Sequence, residues 1–285
     1  ERRSVGGPGV LEHLFQVGLV GGYVVFLGVL HDQFGGVEGV PLELAAHHHT
    51  LDPMRASERL GRAVDDLDRA PAAARERHAD IVTAARAADI ELRECSEEVL
   101  AAMSGTDAPQ GLLAVCAVDR PRLADVLARR PRLLVVLVHV RDPGNAGTVI
   151  RAADAAGADA VLVTTESVDV HAPKVVRSTA GSSFHLPIVT GLEPAALLAE
   201  LAAAGVRTYA ADGRGEVTVD EVDLTVPHAW VMGNEAWGLT DRVREACDEV
   251  VRVPIHGLAE SLNLAMAATV CLYSSARVER PTGQS

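Results

Sequence analysis

Leu133-Leu134-Val135-Val136-Leu137-Val138-His139-Val140 runs directly into Arg141-Asp142-Pro143-Gly144-Asn145-Ala146-Gly147-Thr148-Val149-Ile150-Arg151, and the fold turns on this stretch. Its first part is almost continuously apolar and rich in β-branched residues. A strand exposed on one face would alternate; a strand buried on both faces of a parallel sheet would not. The second part has the makings of a strand-to-helix turn. Gly144 and Gly147 let the backbone turn tightly and approach a ligand. Asn145 is placed to cap a helix over residues 148–156, and Arg151 lies one turn inside it. Taken alone, this segment is equally a capped helix with a surface arginine.

Working outward, strands are expected at 160–164, 207–211, 229–232 and 250–253. Helices are expected at 173–179, with Pro173 at its start, at 193–204, stopped by Gly205, and at 261–277. Helices fall between most strands, so the expected class is α/β, a parallel sheet covered on both faces. On the N-terminal side, helices are expected at 79–88 and 96–103 and strands at 90–93 and 111–118, forming a smaller α/β unit. Residues 1–53 differ from the rest, being rich in Gly and Val. Their apolar run over 17–30 has 14 residues, short of the ~20 that span a bilayer. A signal-peptide core, a buried hairpin and a poorly ordered or non-native extension are the readings open for it.

The formal charge of −13 argues against a protein that coats nucleic acid, although a local basic face can coexist with an acidic body. Arg141, Arg151, Lys174 and Arg177 fall together, while Asp212, Glu216, Asp220, Glu221 and Asp223 read as a solvated loop. Aromatic residues make up 3% of the chain, too few for a broad base-stacking platform. Cys95, Cys116, Cys247 and Cys271 are widely spaced, and no CxxC occurs, so neither a disulfide framework nor a zinc site is expected. His47, His48 and His49 are consecutive, and neighbouring side chains diverge, which disfavours a metal site there. GxGxxG, GxxxxGK[ST] and GxSxG are missing, which removes support for a dinucleotide oxidoreductase, a P-loop NTPase and a serine hydrolase.

Two further segments sit where open α/β sheets bind ligands, at strand ends. In Val231-Met232-Gly233-Asn234-Glu235-Ala236-Trp237-Gly238-Leu239 a strand runs straight into an amide and a carboxylate; Trp237 reads either as cover for a pocket or, as a lone tryptophan more often does, as a packing residue. In Val253-Pro254-Ile255-His256-Gly257-Leu258-Ala259-Glu260-Ser261-Leu262-Asn263-Leu264 a strand ends at proline and a small-residue helix opens, with Ser261 as its expected N-cap. His256, a loop histidine with no visible partner, reads as incidental.

In order, the three segments resemble the SpoU (TrmH-like) family of SPOUT RNA methyltransferases. An N-x-G-T-x-x-R-x-A pattern matches from Asn145 to Ala153. A G-N-E-x-x-G-L pattern matches from Gly233 to Leu239, with Ala236 where glycine is common. A P-x-x-G-x-x-x-S-L-N pattern matches from Pro254 to Asn263. The resemblance covers about half the chain. It implies a parallel sheet with a deep trefoil knot, a rare topology, and transfer of a methyl group from S-adenosylmethionine to a ribose 2′-hydroxyl of RNA.

The resemblance also implies roles. Arg151 positions the RNA and stabilises the developing alkoxide, since a guanidinium is a poor proton acceptor. Asn145, Glu235, Ser261 and Asn263 complete a hydrogen-bonding ring, in which Glu235 is the candidate base or orienter of Arg151. Gly233, Val253 and Leu262, with Ile255 and Leu264 nearby, contact S-adenosylmethionine. Lys174, Arg177 and Arg141 contact RNA phosphates. No metal and no membrane enter, the protein is expected to be a cytoplasmic homodimer, and ribosomal RNA is favoured over transfer RNA.

The implied organisation is an atypical extension (1–53), a small L30e-like RNA substrate-binding unit (54–120), a linker (121–132), the methyltransferase domain (133–280) and a tail (281–285). A Phe-Leu-Val-Glu-Gly-like strand of the small unit is missing between Met54 and Arg77, which makes that unit incomplete. Rival readings are a tRNA 2′-O-methyltransferase, a non-catalytic RNA-binding or assembly protein on the same scaffold, a base-nitrogen methyltransferase of the TrmD-like branch, and a resistance methyltransferase of the thiostrepton type.

Overall fold

The structure, a computed structural model, describes residues 78–88, 92, 97–104, 111–114 and 120–279. The chain divides into two units, Glu1–Val118 and Asp119–Ser285. In the first, helix α1 (Ala79–Ala87) buries Ile81 and Ala85, four residues apart on one face. Helix α2 spans Glu97–Ser104. Of the strand expected at 111–118, residues 111–114 form no strand, and the rest lie outside the described residues. So do the extension over 1–53, the histidine run, Cys95, Cys116 and all but Leu92 of the strand expected at 90–93.

The second unit is one sheet between two helical layers. It opens with α3 (Leu123–Leu127), and strand β1 (Leu133–Leu137) follows with every residue buried. Then come α4 (Pro143–Ala156), β2 (Ala160–Thr164), α5 (Pro173–Thr179), β3 (Ile188–Leu192), α6 (Pro194–Ala203), β4 (Arg207–Ala211), β5 (Val217–Thr218), β6 (His228–Met232), α7 (Asp241–Glu245), β7 (Glu249–Arg252) and α8 (Leu264–Glu279). The seven strands lie in the order β3-β2-β1-β6-β4-β7-β5, and every pairing is parallel. The weakly patterned β3, β5 and α7 were not anticipated from sequence.

The pleat of β1 divides the core. Leu133, Val135 and Leu137 face a layer built by Val149, Ile150 and Ala153 of α4, Val175 of α5 and Ala265, Ala268 and Leu272 of α8. Leu134, Val136 and Val138 face Leu123 and Val126 of α3, Leu197, Leu198 and Leu201 of α6 and Val243 of α7. A residue that packs against helices on both sides can be replaced by a polar one on neither, hence the unbroken apolar run.

Helix α4 begins five residues earlier than the sequence suggests, at Pro143. Asp142, not Asn145, is its N-cap, accepting the Asn145 N–H at 2.7 Å. Pro143 in the first turn lacks the N–H that would go unpaired there. Gly144 and Gly147 are therefore helical, and Gly147 is small for packing, not for ligand approach. A methyl group there would come within 1.9 Å of Ser178 Oγ and 2.7 Å of the Val175 carbonyl oxygen. Helix α8 begins later than expected, at Leu264, and Asn263 instead of Ser261 caps it, accepting the Ala265 N–H at 2.9 Å.

A buried polar knot of side chains locks α8 to the sheet. Ser275 Oγ, on α8, accepts from Trp230 Nε1 at 2.9 Å and lies 2.7 Å from His228 Nε2. His228 Nδ1 donates to the Val226 carbonyl at 2.7 Å. Tyr209 packs against both rings and donates to the Asp223 carbonyl at 2.6 Å; burial pushes its hydroxyl above the usual phenol range. Helix α8 thus returns from β7, two strands away, to lie against α4 and β6.

Candidate active site

The sites read from sequence converge at the C-terminal tips of β1, β6 and β7. Past β1 the chain is stitched to its neighbours on both sides. Val138 N–H donates to the Met232 carbonyl at 2.8 Å and His139 N–H to Thr164 Oγ1 at 3.1 Å. His139 adopts φ 52°, which turns its carbonyl to accept Asn234 Nδ2 at 2.7 Å. Asn234 is buried, and its side chain also accepts the Ala236 N–H at 2.8 Å. Its backbone exchanges both hydrogen bonds with Gly238. The result is a tight hairpin that only glycine can close. A methyl group on Gly233 would come within 2.4 Å of the Gly238 carbonyl carbon, and Gly238 itself sits at φ +71°. The sequence pointed to Asn234 only as part of a motif; its role is to fix the hairpin.

That hairpin delivers Glu235 to the start of α4. Its carboxylate accepts the N–H groups of Arg141 at 3.3 Å and Asp142 at 3.2 Å. The Asn145 amide reaches the same carboxylate from 3.4 Å. Because a carboxylate accepts, Asn145 turns its Nδ2 to Glu235 and its Oδ1 to Asn263, whose Nδ2 donates at 3.0 Å. Asn263 then has its own Oδ1 left to cap α8. Three of the four residues expected in the ring are linked in one consistent series of donors and acceptors. Ser261 is exposed, and its side chain makes no hydrogen bond among the described residues.

Arg151 stands exposed on α4, on the face it shares with Thr148, one turn from it. Among the described residues its guanidinium has no ion-pair partner, so Glu235 does not orient it; that carboxylate is engaged with backbone N–H groups. Lys174 is exposed and Arg177 half-buried on α5. Helix α5 packs against α4, Ser178 Oγ donating to the Pro143 carbonyl at 3.0 Å. Arg141 lies over the ring of Trp237, 5.2 Å from its centroid, and reaches Glu166 at 3.9 Å.

The residues expected around S-adenosylmethionine fall on two loops. Gly233 closes β6, and Val253 follows β7 directly. Ile255 and Leu262 are 40% and 39% exposed on the loop between β7 and α8, and Leu264 is half-buried at its end. Between these loops, at the end of β4, the sequence missed a brace. Asp212 was grouped with the solvated acidic loop, yet its side chain is 12% exposed and pairs with Arg244 at 3.2 Å. Arg244 also donates to the Leu239 carbonyl at 3.2 Å and to Asp241. Glu221 and Asp223 are loop acids as expected, each turned back on a nearby threonine, and those hydrogen bonds hold both carboxyls below the usual range. Among the described residues no His, Cys, Asp and Glu group could hold a metal ion, and no helix is long and apolar enough to cross a membrane.

Comparison with known proteins decides what this arrangement is. Residues 132–273 match the SpoU rRNA Methylase family, and residues 70–121 match the RNA 2′-O ribose methyltransferase substrate binding family. The 23S rRNA (guanosine-2′-O-)-methyltransferase RlmB of Ralstonia nicotianae is 35% identical over 204 residues, 70% of this chain and 81% of the relative.

The chain belongs to the SpoU family.

This SpoU methylase is also 37% identical over 178 residues to the 23S rRNA (guanosine(2553)-2′-O)-methyltransferase RlmP of Bacillus subtilis, covering 62% of this chain and 69% of the relative. An AdoMet-bound rRNA methyltransferase from Sinorhizobium meliloti superposes with a TM-score of 0.58 at 31% identity, over 70% of this chain and 77% of that one. SpoU methylases use S-adenosylmethionine, and this one has places that suit it. Ile255 and Leu262, on the loop between β7 and α8, expose apolar side chains of the kind an adenosine would cover.

Proposed function

We propose that this SpoU enzyme methylates a ribose 2′-hydroxyl of 23S ribosomal RNA. The observation that carries the reading is the hydrogen-bonded series Asn263–Asn145–Glu235, which joins one residue from each of the three motifs. The curated relatives that act on 23S rRNA support that substrate over transfer RNA.

Gly233, Val253, Ile255, Leu262 and Leu264 would hold S-adenosylmethionine, mostly through backbone groups and apolar contact. That molecule, when bound, would supply a methyl group from its sulfonium to the ribose 2′-oxygen, leaving S-adenosylhomocysteine, with the hydroxyl proton released to solvent. Arg151, with no ion-pair partner among the described residues, is available to hold the nucleotide and to face the charge that develops on the 2′-oxygen. A guanidinium keeps its proton in proteins, so its part is electrostatic. Glu235 keeps the first turn of α4, and with it Asn145, fixed against the hairpin; rigid placement of this kind contributes directly to rate. Lys174, Arg177 and Arg141 would lie against phosphates. Ser261, exposed on the loop before α8, would contact the substrate.

The same reading includes a trefoil knot, through which the segment after β7 passes before α8 lies back on α4. It includes a homodimer, because Met266, Val270 and Tyr273 leave an apolar stripe on α8 that is 64%, 39% and 42% exposed. Cytoplasmic placement follows from a ribosomal RNA substrate, and residues 54–120, followed by a linker over 121–132, are assigned to docking that RNA ahead of a catalytic domain at 133–280. The test is transfer of a tritiated methyl group from S-adenosylmethionine to 23S rRNA and to transfer RNA, followed by mapping. Label at a single 2′-O position of 23S rRNA is expected; label on a base nitrogen refutes the reaction, and label in transfer RNA refutes the substrate.

A further inference from the structure

Two tryptophans occur in the chain, and they are used in opposite ways. Trp230 is fully buried, whereas Trp237 is 50% exposed on the hairpin that carries Glu235. Half-exposing the largest apolar side chain gives up burial that a packing residue would keep. Its ring is not loose: the Arg141 guanidinium lies over one face at 5.2 Å. Both partners are fixed by one carboxylate, because Glu235, two residues before Trp237, accepts the backbone N–H of Arg141. Ring and guanidinium therefore stand on adjacent, mutually bonded turns, at the tips of strands β1 and β6 that pair directly.

We infer that Trp237 and Arg141 form a stacking subsite for an unpaired nucleobase of the RNA, next to the ribose that is methylated. Unstacked bases are held on aromatic faces and guanidinium planes, and a ribose must be displayed in this way before its 2′-hydroxyl can be reached. The cation beside the ring adds attraction for the phosphate attached to the same nucleotide. In a chain this acidic and this poor in aromatics, the pairing of the two groups at the site is what gives a base a surface to rest on. The apolar stripe proposed to face a second copy lies on α8, a different element, so Trp237 is not needed there. This inference rests on the methyltransferase reading.

Its test uses the full chain with a short labelled oligoadenylate and an abasic ribose-phosphate oligomer of the same length, at low salt. Trp237→Ala should weaken binding of oligoadenylate about tenfold, within the range of one lost base stack, and leave binding of the abasic oligomer unchanged. Trp237→Phe should recover most of the loss, and Arg141→Ala should weaken both oligomers. Equal affinity of wild type and Trp237→Ala for oligoadenylate overturns the subsite. So does a matching loss of S-adenosylmethionine affinity in equilibrium dialysis, which would make Trp237 part of the cofactor site. A changed sedimentation coefficient, marking a subunit contact, overturns it as well. Methyl transfer by the wild type is measured in parallel: its failure with base-dependent binding intact refutes the reaction and not the subsite.

Discussion

Asn263 Nδ2 donates to Asn145 Oδ1 at 3.0 Å, tying the first turn of α4 to the start of α8 across the tip of the sheet. The two asparagines have different second duties. Asn145 turns its amide to Glu235, and Asn263 caps α8 through Ala265. Asn145→Ala should therefore lower kcat by about 100-fold with little change in melting temperature, the cost of losing alignment. Asn263→Ala should lower kcat similarly and also cost about 1 kcal/mol of stability through the lost cap. Single-turnover kinetics beside thermal melts separate the two, and the double variant should be no slower than the worse single.

Arg244 joins Asp212 at the end of β4 to the Leu239 carbonyl just past the Gly233 hairpin. Arg244→Met should weaken S-adenosylmethionine binding several-fold by releasing the hairpin, and Asp212→Asn should do the same to a smaller degree. Equilibrium dialysis on both, and on the double variant, would show their effects to be less than additive. Unchanged affinity in Arg244→Met would mean that the hairpin holds its shape without this brace.

Gly147 has no room for a methyl group between α4 and α5. Gly147→Ala should destabilise the domain by about 1–3 kcal/mol, as overpacking does. Gly257, on the loop between β7 and α8, has nothing within 4 Å of a methyl position. Gly257→Ala should be neutral or slightly stabilising, by restricting the unfolded chain. Urea unfolding of the pair reads this contrast directly.

Burial pushes the Cys247 and Cys271 thiols up to about 12 each. At pH 8 only about one in ten thousand of either would be the reactive thiolate. Alkylation by iodoacetamide followed by peptide mass spectrometry should find both unmodified in the native protein, and both modified after unfolding in urea. Reaction of Cys271 in the native protein would show that α8 opens from the sheet.

The sheet was legible where its strands are buried on both faces: β1, β2 and β6 read as largely apolar runs. β3 carries a glycine, Gly191, and loses its burial at one end, and β5 has two residues, so neither stands out from a loop. Helix starts were read too late or too early because capping side chains compete locally. Asp142, Asn145, Ser261 and Asn263 are all good caps by type, and only packing decides which two are used. The positions of Glu235 and Asn263 were legible through motif spacing, but their link through Asn145 was not. It depends on a hairpin fixed by buried Asn234 and on a return of α8 past two strands, contacts with no local signature. Asp212 was misread for the same reason, its partner Arg244 lying 32 residues away.

In the proposed reaction Arg151 faces the developing charge; it is exposed on α4, its own charge matched by no acid among the described residues. Transfer of the tritiated methyl group from S-adenosylmethionine to 23S rRNA should fall by at least about 100-fold in Arg151→Ala, the scale expected when a group that stabilises developing charge is lost. S-adenosylmethionine affinity, measured on the same preparation, should stay within about twofold, since Arg151 is assigned no part in holding it. Full transfer activity in Arg151→Ala would contradict the account.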